Sequence, residues 1–228
     1  MRDWFAGEVA ARYDEDTAGM EVAPVVDFLL PLAAGGALEL AVGTGRIALP
    51  LAERGVPVAG IDLSPDMVAE LRKKSAAVPV AIGDMTTTRV DGSFSLVYIV
   101  FNSINNLTTQ DAQVAAFANA AAHLERGGCF VVEVGVPNRQ PLEVFDLSET
   151  HVGVDELDLA TQRLVSHHFS LRDGHWERTS VPFRSVSPAE LDLMARLAGL
   201  TLRERWGDWG RTPFTSESAK HVSVWEKP

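Results

Sequence analysis

Three short stretches place chemically capable residues at regular intervals. Gly43-Thr44-Gly45 follows the apolar run of residues 37–42 and precedes Ile47, Ala48, Leu51 and Ala52 at helical spacing, a strand, tight turn and helix. Such a turn lets the backbone approach a ligand closely, and the helix N-terminus supplies free N–H groups. Asp62, nineteen residues after Gly43, ends the next apolar run, where a carboxylate can accept protons from both hydroxyls of a ribose. Gly83-Asp84-Met85 closes a third run; there Asp84 can accept from an adenine amino group and the Met85 N–H can donate to a ring nitrogen. Glu39 lies inside the first strand, giving Glu39-x-Ala41-x-Gly43-x-Gly45, and an acid at that point suits a cationic ligand better than a pyrophosphate. The residues Gly43 to Ala48 also satisfy G-x-G-x-x-A, so on spacing alone an NAD(P)-dependent oxidoreductase remains open.

The elements that must carry these residues alternate. Residues 56–61 form a second strand before Ser64-Pro65, a cap with proline at the first helical position. Strands follow at 78–82, 94–100 and 129–134, with an Ala-rich helix over 111–124, and strands alternating with helices predict a parallel sheet covered on both faces. Residues 151–183 alternate apolar with polar around the turn Arg172-Asp173-Gly174-His175, which predicts two or three antiparallel strands added to the core. Ser187-Pro188-Ala189-Glu190 opens a helix closed by Gly199, and residues 201–206 and 220–226 predict a terminal strand pair.

With Glu39-x-Ala41-x-Gly43-x-Gly45, Gly60-Ile61-Asp62, Gly83-Asp84-Met85 and the closing Val222-Ser223-Val224-Trp225 in order, the chain resembles the class I S-adenosylmethionine-dependent methyltransferases over nearly its full length. The resemblance implies an α/β, Rossmann-like three-layer sandwich. Its mostly parallel seven-stranded sheet has an antiparallel last strand, and an antiparallel lid sheet is added. It further implies one domain over 1–228, with a helical cover (1–36), a βα cofactor core (37–136), the lid (137–186) and a C-terminal helix with its strand pair (187–228). The cofactor implied is S-adenosyl-L-methionine, leaving as S-adenosyl-L-homocysteine. In the family the glycine turn cradles the methionine moiety, the acid after the second strand holds the ribose, and the acid after the third holds the adenine amine. The end of the fourth strand lies beside the sulfonium. Those roles fall on Gly43, Gly45, Asp62, Asp84, Met85 and Phe101, with Ala41, Arg46 and Leu63 beside them and Glu39 beneath; Tyr13 resembles an N-terminal tyrosine that reaches the methionine end. The layout is similar to that of sugar amine and glycine N-methyltransferases.

Methyl transfer to an N or O atom is an in-line displacement dominated by alignment, and a general base helps an oxygen acceptor more than a neutral amine. His167 and His168 are the candidate bases; consecutive in a strand, they face opposite ways. Asn102, Arg184 and Trp209 are candidate acceptor contacts. His123, His151, His175 and His221 share no ligand spacing with Cys129 or with a carboxylate pair, so no metal is expected. Composition narrows the partners. In 228 residues, 46% are hydrophobic and 22% charged, and 20 basic against 31 acidic side chains leave a net charge of −11, which opposes nucleic acid and anionic membrane. No segment reads as an export signal or a membrane span, and one cysteine makes no internal disulfide. The expectation is a cytoplasmic protein acting on a small-molecule methyl acceptor and pairing as a homodimer through the added sheet. A non-catalytic binder of the same cofactor is the other reading, because no obligatory base stands out.

Overall fold

The computed structural model describes residues 3–137 and 140–228; residues 1, 2, 138 and 139, which fall in the expected cover and lid, lie outside the described residues. Seven strands form the main sheet: β1 (Ala37–Leu40), β2 (Val58–Asp62), β3 (Val80–Ile82), β4 (Phe94–Ile99), β5 (Leu124–Gly135), β10 (Thr201–Trp206) and β11 (Lys220–Glu226). Their order is β10-β11-β5-β4-β1-β2-β3, and β11 alone runs against its neighbours, as the sequence predicts. The remaining strands, β6 (Leu142–Leu147), β7 (His151–Asp158), β8 (Arg163–Arg172) and β9 (His175–Arg184), make a separate antiparallel sheet in chain order.

Two cores sandwich the main sheet. Helices α5 (Gln110–His123) and α6 (Pro188–Leu197) bury Phe117, Leu191 and Met194 with Phe130 and Trp225 on one side. Helices α2 (Ala23–Leu29), α3 (Ala48–Glu53) and α4 (Pro65–Lys74) bury Phe28, Leu51 and Leu71 with Tyr98 and Val131 on the other. The strands between these layers are apolar on both faces, as a covered parallel sheet requires. Ser64 and Ser187 cap α4 and α6 by accepting from the N–H groups of Met67 and Glu190, and Pro50 falls within the first turn of α3, where its missing N–H costs nothing.

Three local expectations change. The predicted helical cover is two short helices, α1 (Glu8–Asp16) and α2, because residues 17–22 turn before Pro24 restarts the chain as a helix. The added sheet has four strands: β6, exposed along its whole length, was not foreseen because a register irregularity between Val144 and Asp146 interrupts its apolar alternation. β5 begins at Leu124 rather than 129, pairing through an irregular register with β4 between Phe94 and Leu96.

On β11, His221 is fully buried with its Nδ1 2.8 Å from Ser223 Oγ, while its Nε2 has no hydrogen-bond partner among the described residues. Burial, assisted by Arg205, pushes its pKa down to about 4 from 6.5. The folded state therefore binds fewer protons than the unfolded chain between those values, so His221 destabilises the protein as pH falls below 6.5. The loss reaches roughly 3 kcal/mol near pH 4, at about 1.4 kcal/mol per pH unit. Denaturant unfolding of the wild type and His221→Phe across this range should show that slope in the wild type only; parallel curves would refute it.

Candidate functional site

The carboxyl ends of β1 and β4 lie side by side, and the chain leaves them towards opposite faces of the sheet, the point at which α/β sheets open a crevice. A cleft of about 730 Å³, counted to its open mouth, occupies that edge. A second hollow of about 300 Å³ adjoins it, sharing Tyr13, Ala41, Gly43 and Ser103 in its walls. Together they have the size of a small-molecule site.

The glycine turn is held open from below. Gly43 and Gly45 have φ of 55° and 82°, and a Cβ on Gly45 would come within 2.9 Å of Leu49 and 3.0 Å of Leu71. Ala41 takes the left-handed region too, at φ 65°, with its N–H donating to Ile61 O. Asp62 fastens the turn: Oδ2 accepts from Gly43 N at 2.6 Å and Oδ1 from Ser64 N at 2.8 Å. Burial raises its pKa while these N–H donors act to lower it. One carboxylate thus joins the turn after β1 to the entry of α4, and its remaining lone pairs line the cleft.

Glu39 has a parallel role one level deeper. Only 2% exposed, it accepts from Tyr98 Oη at 2.9 Å and from the backbone N–H of Ala48 at the start of α3. Burial pushes its pKa up to about 8, against the pull of Tyr98 and Arg46. Arg46 lies over the Phe101 ring at 5.3 Å and, with Glu39, Tyr13 and Phe101, lines the smaller hollow. A carboxyl and a guanidinium in one hollow match the ammonium and carboxylate of an amino acid. The larger cleft sets Asp62 and Asp84 against Ile61, Leu63, Met67 and Met85, an apolar slot with acids that suits a nucleoside. The donor set therefore fits an amino acid joined to a nucleoside.

Tyr13, Glu39, Ala41, Gly43, Arg46, Asp62, Leu63, Asp84, Met85 and Phe101 are thus brought together around the two hollows, while Gly45 supports the turn from beneath. Asp84 also forms an Asx turn, accepting from Thr86 N and Oγ1. Phe101 and Asn102 have φ of 53° and 60°; Phe101 N donates to Glu133, and Asn102 Oδ1 accepts from Gly135 N at 2.7 Å.

The other candidates lie elsewhere. Asn102 clips β4 to β5 rather than lining the cleft; the next turn sends in Ser103 and Asn106 instead. Arg184 is buried and bonded to Gln113, Gln162 and Glu190, a base for the lid sheet instead of an acceptor contact. Trp209 packs edge-on against Phe28 at 5.3 Å in the core. His167 contacts Ser180 and Glu156, and His168 contacts His151 and Ser166, all within the lid sheet; neither is among the residues lining the hollows. Asp3, Ser64, Met67 and Ser103 also line the cleft without a motif to announce them, and Asn106, an amide just past the fourth strand, lines it too.

Comparison with known proteins is consistent throughout. Residues 37–128 match a family model described as a methyltransferase domain. The chain is 34% identical over 157 residues to the dTDP-3-amino-3,4,6-trideoxy-alpha-D-glucopyranose N,N-dimethyltransferase of Streptomyces venezuelae, covering 69% of this chain and 64% of that one. It is 32% identical to the dTDP-3-amino-3,6-dideoxy-alpha-D-glucopyranose N,N-dimethyltransferase of Streptomyces fradiae, covering 81% of this chain and 73% of the relative. The solved CcbJ methyltransferase of Streptomyces caelestis superposes with a TM-score of 0.87 at 35% identity, covering 96% of both chains. The oxidoreductase reading of the glycine turn finds no support among these relatives. With a relative 32% identical over 81% of this chain and a solved methyltransferase 35% identical over 96% of it, the chain belongs to the class I S-adenosylmethionine-dependent methyltransferases.

Proposed function

We propose that this methyltransferase modifies an amino nitrogen of a small acceptor. The observation that carries the reading is the lining of the two hollows, which contains acids, aromatics and one amide, Asn106, but no histidine among the described residues. A neutral amine reacts once it is aligned and free of its proton, whereas an oxygen acceptor profits from a base. Two similar proteins are named as N,N-dimethyltransferases of amino sugars, which supports nitrogen as the target. The bound cofactor supplies an electrophilic methyl on a sulfonium. Glu39 and Arg46 hold the amino-acid end, Asp62 the ribose and Asp84 with the Met85 N–H the adenine. Phe101 and Tyr13 flank the reacting end and exclude water. The net charge of −11 disfavours a polymeric anion such as nucleic acid as the acceptor. No helix among the described residues is long and apolar enough to cross a membrane, and the free, buried Cys129 suits the cytoplasm. Turnover on matched amine and phenol panels, read as S-adenosylhomocysteine formed, tests the proposal: amines should react and their O-analogues should not.

The lid sheet supplies the second part of the reading, a homodimer. The strand register puts Val144, Leu147, Val152, Val154, Val165 and Phe169 on one face, all outside the two cores, with Val144 55% and Leu147 76% exposed. An apolar sheet face of this kind is stabilised by a matching copy. Light scattering should give twice the chain mass for the wild type and one chain mass for Leu147→Asp; a monomeric wild type would refute it.

A further inference from the structure

The N-terminal arm, residues 3–16, forms one wall of the cofactor cleft. Asp3, Trp4, Phe5 and Tyr13 all line it, and Tyr13 reaches both hollows. Among the described residues the arm pairs with no strand, and side chains fasten it. Gly7 N donates to Asp66 Oδ2 at 2.7 Å, in the first turn of α4. At the far end of the same helix, Lys74 Nζ donates to Asp14 Oδ2 at 2.6 Å. The other oxygen of Asp14 accepts from Thr44 Oγ1, also at 2.6 Å. Thr44 is the residue between the two glycines and is 1% exposed. One carboxylate thus clamps the arm at once to α4 and to the turn that cradles the methionine end, directly after the tyrosine that covers it.

From this geometry we propose that Asp14 is a positioning residue whose clasp on Thr44 and Lys74 holds the arm over the cleft and sets the rate at which cofactor and product exchange. The inference rests on the cofactor site described above. Bound ligand keeps the glycine turn in place, the turn presents Thr44, and Thr44 with Lys74 holds Asp14. Release then requires two charge-assisted hydrogen bonds to open together. Because the Lys74 pair is partly exposed, with side chains 36% and 49% accessible, salt weakens that half of the clasp.

The test is the dissociation rate of S-adenosylhomocysteine from the full-length protein, read by rapid mixing with excess unlabelled ligand, together with hydrogen exchange over residues 8–16. Asp14→Ala should release the ligand about tenfold faster and expose the arm to exchange, the effect expected when two charge-assisted bonds are lost from a partly solvated site. Asp14→Asn keeps an acceptor for Thr44 and should fall between. Wild-type release should accelerate with salt while that of Asp14→Asn does not, a difference that a general loss of stability would not produce. Lys74→Ala, whose side chain lies outside the cleft, reproduces the salt-insensitive rate if Asp14 variants fail to fold. Release rates within twofold of wild type in both Asp14→Ala and Lys74→Ala would overturn the clasp alone. No binding of S-adenosylhomocysteine by the wild type would overturn the cofactor site and the clasp with it.

Discussion

Asp62→Ala should lower the affinity for S-adenosylhomocysteine by about 100-fold, near the upper range for losing hydrogen bonds to a charged group, about 3 kcal/mol. The size of the effect follows from the two tasks of this side chain. In the free protein its oxygens already accept from Gly43 N and Ser64 N, so the carboxylate arrives at the cleft with its orientation fixed. A ribose then meets an acceptor that needs no reordering, and the variant loses that acceptor while leaving two N–H groups in search of water. The turn itself should loosen, and for that reason the variant should also melt at a lower temperature. Asp62→Asn separates the tasks: an amide has one oxygen where two N–H donors need partners, so the turn remains strained although the volume is kept. Calorimetric titration of both variants checks the prediction, and an affinity within threefold of wild type in Asp62→Ala would refute the ribose role.

The second large effect concerns protons. Glu39, with a pKa of about 8 in the free protein, is mostly neutral at pH 7. A cationic ammonium in the adjoining hollow favours the charged carboxylate, so binding should expel protons at pH 7. Below pH 8 the affinity should accordingly rise by up to about tenfold per pH unit, and it should level off above. The sign is fixed by the direction of the shift: burial stabilises the protonated form before binding, and the ligand's charge reverses that preference afterwards. Glu39→Gln cannot ionise, so titrations in buffers of differing ionisation heat should show proton release for the wild type and little for the variant. Equal release from both would place the titrating group elsewhere. The same variant should bind roughly tenfold more weakly at pH 8, having lost one charge partner.

Much of the fold was legible because the signals were local. The glycine turn, the Ser64-Pro65 and Ser187-Pro188 caps and the apolar strands each arise from a few neighbouring residues; the turn and caps recur at their expected places, and the strands recur with ends shifted, by two residues at the starts of β2 and β3 and by five at that of β5. Asp62 was legible as an acid at a strand end; its bond to Gly43, which is what sets its orientation, joins residues nineteen apart and has no sequence mark. The candidates that do not line the hollows share a physical cause. Arg184 and Trp209 are residue types that suit a ligand or a core equally well, and only long-range packing decides; Gln113 and Glu190 claimed the first and Phe28 the second. Strand β6 escaped because a register irregularity between Val144 and Asp146 interrupts its apolar alternation after three residues. Asn102 was placed correctly at the end of β4, yet its backbone lies in the left-handed region, which turns its side chain to Gly135.

The separation of the two sheets decides how a change in one reaches the other. The four-stranded sheet shares no ladder with the seven-stranded one and returns to it through Arg184 and its partners on α5 and α6. A slip or insertion within β6 to β9 therefore leaves the register of β1 to β5 intact, and with it the turn and acids at the carboxyl edge. Change in β6 to β8 is thus kept off the ladder of the main sheet, whereas β9 lies against the turn of residues 103–106, whose Ser103 and Asn106 line the cleft, and is the route by which the added sheet reaches the site.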